Sequence, residues 1–123
     1  MIASTVPIPE GLQLVKPWEV IHDTPEVQSR AERLSAELQR EIPSTHALFG
    51  IKATAIAHRI DQDDVLFELE GQMPLAVVHL TWSRETDPRW PETTLFESWE
   101  HWAQEEMLPA HEDYIYPDNA SAG

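Results

Sequence analysis

Hydrophobic residues recur along this chain in two distinct periods. Val27, Ala31, Leu34, Leu38 and Ile42 are spaced by four, three, four and four residues, which puts all five on one stripe of a helix. Thr24 is a suitable cap, Pro25 suits the first helical turn, Glu26 favours the positive end of the dipole, and Pro43 stops the helix. The opposite face carries Glu26, Arg30, Glu32, Arg33, Glu37, Arg40 and Glu41, a mixture of both signs expected of a solvated surface.

Beyond His46 the period shortens. Three apolar segments, 51–60 (IKATAIAHRI), 65–70 (VLFELE) and 75–82 (LAVVHLTW), are separated by Asp61-Gln62-Asp63-Asp64 and Gly71-Gln72-Met73-Pro74. Four-residue turns of this composition join antiparallel neighbours, so the three read as a β-meander. The third segment is apolar on both faces, as expected of a strand that is covered on both sides.

A twelve-residue loop, SRETDPRWPETT, follows. Thr94 with Glu97 three residues on has the form of a capping box, predicting a second helix with Leu95, Phe96, Trp99, Trp102, Ala103 and Met107 on its apolar face and Pro109 limiting it. Upstream, Pro7, Pro9 and Pro17 exclude a continuous helix over residues 1–22, while Val6, Ile8, Leu12, Leu14, Trp18, Val20 and Ile21 are too apolar for a free tail. That stretch reads as an extended arm that crosses the core or forms an edge strand, and its functional reading is a swapped arm holding a dimer.

Together these elements predict an α+β fold: a three-stranded antiparallel β-meander packed on one face against two helices, with an extended N-terminal arm. The organisation is an arm over 1–22, a single α+β domain over 23–109, and an acidic C-terminal tail over 110–123. A chain of 123 residues suits one core.

Charge sharpens the picture. The net charge of −14 is uneven: residues 1–60 hold six Lys/Arg against seven Asp/Glu, and residues 61–123 hold two against fifteen. After Arg89 there is no lysine or arginine. Such a surface disfavours a nucleic-acid phosphate backbone and suits a basic protein partner. The absence of cysteine excludes disulfides, thiolate nucleophiles and Cys-based zinc sites. The N-terminus lacks the basic region of a secretory signal, and no run of ~18 apolar residues occurs, so neither a membrane partner nor a location outside the cytoplasm is expected.

Chemistry-bearing motifs are sparse. HExxH, HxH, EF-hand, nucleophile-elbow and glycine-rich phosphate patterns are all missing, and no metal or cofactor is expected. His79, between Val78 and Leu80, and His58 are the histidines that would act as acid or base if either lined a cleft beside a carboxylate. Trp82, Trp99 and Trp102 read as core, whereas Trp90 in Asp87-Pro88-Arg89-Trp90-Pro91 sits in a stiffened loop beside a guanidinium and reads as a binding anchor. The expected partner-binding set is Arg84, Asp87, Arg89, Trp90, Glu97, Glu100 and Glu105. The leading expectation is a non-catalytic acidic protein-binding domain, such as an inhibitor, immunity or antitoxin-like partner. The alternatives are a small hydrolase or lyase using His79 or His58 with a carboxylate, and a nucleic-acid mimic.

The segments DDVLFEL, AVVHLTW, DPRWP and FESWEHW, spread over residues 46–108, resemble a pattern found in small uncharacterised bacterial proteins. That resemblance implies an autonomous small domain and brings no activity, cofactor or catalytic residue with it.

Overall fold

The computed structural model describes residues 12–21, 28–70 and 74–116. Five antiparallel strands form one sheet in chain order: β1 (Trp18–Val20), β2 (Ala53–Arg59), β3 (Asp64–Leu69), β4 (Leu75–His79) and β5 (Glu92–Phe96). The expected meander is its centre, and the sheet has two more strands than predicted. β1 comes from the N-terminal arm and pairs on the edge with β2, Val20 opposite Ala57. β5 takes the residues assigned to the start of the second helix and pairs with β4, Val77 opposite Thr94.

The helices lie on opposite faces of the sheet rather than on one, and the α+β class holds in a three-layer arrangement. Helix α1 (Gln28–Glu41) packs Leu34 and Leu38, with Ile42 just beyond its end, on Ala53, Ala55, Val65, Phe67, Ala76 and Val78. The proposed cap at Thr24 and the first stripe residue Val27 lie outside the described residues. A β-bulge between Ala55 and Ala57 changes the face that β2 presents. Ala53 and Ala55 face α1, whereas Ala57 faces the other layer. At the bulge the Ala55 amide donates to Ser35 Oγ at 3.0 Å, and that hydroxyl donates to Ala31 O at 2.9 Å. Small side chains on β2 let α1 approach closely, and Ser35 satisfies the amide that the bulge withdraws from the ladder.

The other layer is a helical segment that begins with α2 (Trp99–Trp102), passes through a π-helical turn (Ala103–Met107) and continues as α3 (Leu108–Ile115). Its cap is Ser98, whose hydroxyl accepts the His101 amide at 3.0 Å, and not Thr94. Thr94 is a β5 residue, so the capping-box reading was a false match. The segment also runs past Pro109, where it was expected to stop. The π turn just before the proline loosens the i→i−4 ladder where a missing N–H is tolerated. Ser98→Ala is expected to cost about 1 kcal/mol, measured as a lower urea midpoint with an unchanged slope.

Trp102, Ala103, Met107 and Ala110 from this segment cover Trp18, Leu66, Leu75, Val77 and Phe96. Trp18 and Trp102 meet edge to face with ring centroids 5.3 Å apart, and Trp99 closes on Trp102 at 5.7 Å. Trp82, by contrast, was expected in the core and stands exposed on the turn after β4. Leu80, two residues before it, is the last residue of this stretch in the core.

Candidate functional site

The helical segment does not cover the whole of its sheet face. Reading across the ladder, Leu75 and Phe96 form one row, Leu66, Val77 and Thr94 the next, and Asp64, His79 and Glu92 a third. In the first two, Leu75, Phe96, Leu66 and Val77 are buried and Thr94 is exposed. The third lies at the end of the sheet and borders a groove of about 370 Å³ with Val77 and Thr94 beside it and Glu106 from the π turn above.

Asp64, His79, Glu92 and Glu106 line it together, with Arg59 and Asp61 beside Asp64. His79 Nδ1 donates to Asp64 Oδ1 at 2.6 Å, across the β3–β4 ladder where the two residues are directly opposed. With Nδ1–H committed to the carboxylate, Nε2 is the ring nitrogen left for another partner. Arg59, from the end of β2, holds Asp61 through two bonds of 2.9 Å. Its Nη1 stands 4.0 Å from both Asp64 Oδ2 and Glu106 Oε2. One guanidinium therefore faces three carboxylates, with a fourth, Glu92, on the far wall. Burial raises the Glu106 carboxyl above its ordinary value, the charge of Asp64 adds to the rise, and Arg59 opposes it.

The other described histidines have structural duties. His46 is buried, donates through Nε2 to Pro91 O at 3.0 Å and accepts the Leu48 amide at Nδ1, so it ties the turn after α1 to the start of β5. His101 accepts the Glu97 amide, and His111 donates to Lys16 O at 2.6 Å. His58 lies on the α1 face, opposite Val65, with Arg30 3.4 Å from its ring. Burial first and Arg30 second push its pKa down. His58 and His79 are thus on different faces and two strands apart.

The expected partner-binding residues fall into three places. Arg84, Asp87, Arg89 and Trp90 belong to the loop joining β4 to β5, at the same end of the sheet as the His79–Glu92 row. There Asp87 accepts from Arg89 Nη2 at 2.7 Å and from the Arg89 amide at 2.9 Å, and these bonds hold the Asp87 pKa down to about 2. Arg89 is thereby matched within its own loop, while the Trp90 ring is exposed. Glu97 and Glu100 are exposed where the chain leaves the other end of β5, a strand length away at ~3.4 Å per residue. Glu105 is exposed on the π turn beside Glu106.

Among the described residues no group of three His, Asp or Glu side chains is arranged to hold a metal ion, and no helix is long and apolar enough to cross a membrane. A second, more open depression of about 450 Å³ between α1 and β2 has Lys52 as its one ionisable lining group. Comparison with protein-family profiles, with curated proteins and with solved structures gives no match, so function is read from the geometry of this chain.

Proposed function

We propose that this chain is a non-catalytic, acidic protein-binding domain of the inhibitor, immunity or antitoxin-like kind, and that its groove receives a lysine or arginine side chain of a basic partner. The observation that carries this reading is the charge imbalance around Arg59: Asp61, Asp64 and Glu106 share one guanidinium, and two of the three separations are 4.0 Å. A second cation entering between Asp64, Glu92 and Glu106 would offset the burial and the Asp64 repulsion that raise Glu106. Acidic side chains over the second half of the chain would speed encounter, and the exposed Trp90 at the same end would add a short-range aromatic anchor.

The test is an NMR titration of the protein with a hexaarginine peptide. Shifts are expected to concentrate at Asp64, His79, Glu92 and Glu106, with affinity falling at least about tenfold between ~0.05 and ~0.3 M salt. Asp64→Asn with Glu106→Gln is expected to lower the low-salt affinity by a similar factor, and Trp90→Ala to weaken the complex with the native partner while the fold is intact. Affinity indifferent to salt, or shifts spread evenly over the acidic surface, would refute the groove as the receptor.

The 2.6 Å Asp64–His79 contact favours one second reading, a small hydrolase or lyase in which Asp64 orients His79 as base and Glu106, raised by burial, is the candidate acid. His58, on the other face, has no place in it. The two readings separate at His79: turnover of p-nitrophenyl esters that His79→Ala abolishes supports catalysis, whereas peptide binding retained in His79→Ala supports docking.

A further inference from the structure

At the turn after β4, Trp82 has φ +61, in the left-handed region that a bulky side chain rarely occupies, and its ring is 52% exposed. An exposed residue gains little packing in return for this conformation, so the turn must be imposed by other groups. The imposing group is Glu41, the last residue of α1, which is buried with a relative exposure of 0%. Its carboxylate accepts the Trp82 amide at 2.7 Å and the Thr81 amide at 2.9 Å. The Glu41 carbonyl also accepts the Glu85 amide at 2.9 Å. A helix end and a strained turn are thus held together through one carboxyl group.

We infer that Glu41 and the Thr81–Trp82 turn form a proton-sensitive latch, in which ionised Glu41 fixes the turn that presents Trp82 and protonated Glu41 releases its grip. The inference stands independently of the docking reading. Its geometric basis is the demand on acceptors: two backbone amides point at the two oxygens, one at each, and a protonated carboxyl must turn one oxygen into a donor. A recipient for that proton is at hand in Glu37, one turn back on α1 and itself bonded to Arg40 at 2.6 Å. The charged groups facing the latch are Glu37 and Arg40 on α1 and Glu85 on the loop, whose carboxylate accepts the Thr81 hydroxyl at 2.7 Å.

Burial, with Glu37 adding to it, pushes Glu41 up to about 7, against the pull of the Thr81 and Trp82 amides. Because this folded value lies above that of a free carboxyl, the native state binds the extra proton between the two. Global stability therefore falls as pH rises from the ordinary glutamate range toward neutrality, even as the turn itself tightens.

The experiment follows the Thr81 and Trp82 backbone amide resonances of the full chain across pH. Both are expected to move together with a midpoint near neutrality, downfield as Glu41 ionises. In Glu41→Gln the transition is expected to vanish. In Glu37→Gln, which leaves the latch carboxyl in place, the midpoint is expected to fall because the neighbouring carboxylate is gone. A transition that survives in Glu41→Gln, a flat response in the wild-type protein, or a Glu37→Gln midpoint that does not fall would each overturn the latch.

Discussion

Trp102→Ala is expected to destabilise the protein by ~3–5 kcal/mol, the range for deleting a large aromatic ring from a core. Trp102 has a relative exposure of 0% and sits between Trp18 and Trp99, 5.3 and 5.7 Å away in edge-to-face contact. The cluster around it is built mainly from strand side chains fixed by the sheet, Leu66, Leu75, Val77 and Phe96, which limits how far it can collapse into the void. Urea denaturation is expected to show the loss as a lower midpoint with the slope retained. Trp102→Phe is the informative companion. The indole N–H of Trp102 is buried without an acceptor, and an unpaired donor of this kind costs ~1–3 kcal/mol. Phenylalanine removes that burden while keeping most of the ring contact, so its cost is expected to be well under half that of alanine. Equal losses for the two variants would mean that the N–H is satisfied and that its hydrogen bond, not ring contact, governs the site.

Trp102 also illustrates which features were legible in the sequence. Its inward orientation followed from helical spacing with Trp99, Ala103 and Met107, and the α1 stripe of Leu34, Leu38 and Ile42 was equally plain because local periodicity alone sets it. β1 was harder to read: three residues, Trp18–Val20, carry no period, and only pairing with β2 makes them a strand. β5 was missed because Thr94 and Glu97 match a capping box, although Thr93, Thr94 and Phe96 also suit a strand. A hydroxyl residue four positions later, Ser98, provides the actual cap.

The candidate site depended on register. His79 and the Asp-rich turn were both visible in the sequence. A turn placed at Gly71–Pro74 would put Asp64 opposite Thr81, however, whereas the Leu69 amide bonds to Pro74 O at 2.7 Å and shifts the pairing by two residues. The shift keeps every side chain on its face and exchanges Thr81 for His79 as the partner of Asp64. Glu106 reaches the groove only because the helix crosses the face opposite α1, a choice of layer that amphipathic patterning does not specify.

Arg59→Met is expected to separate the stability role of the groove from its binding role. The substitution keeps an aliphatic stem beside the sheet and deletes the guanidinium. In the wild-type protein the Arg59 side chain is 11% exposed and is bonded to Asp61 twice, so its loss lies between that of an exposed pair and that of a fully buried one, about 2–3 kcal/mol. The loss is expected to grow with pH. Glu106 already titrates above its ordinary value, with Arg59 restraining the rise; without Arg59 the folded value climbs further. A carboxyl raised by folding lowers stability as pH increases from its unfolded value through its folded one, so the gap between the two proteins is expected to widen as pH rises above the ordinary glutamate range. Binding is expected to move in the opposite sense. With the internal cation gone, Asp64 and Glu106 are left to an incoming one, and hexaarginine is expected to bind the variant several-fold more tightly at low salt while it remains folded. If the peptide instead bound more weakly to the folded variant, the guanidinium of Arg59 would be organising the groove, and its carboxylates would not by themselves form a receptor for a basic partner.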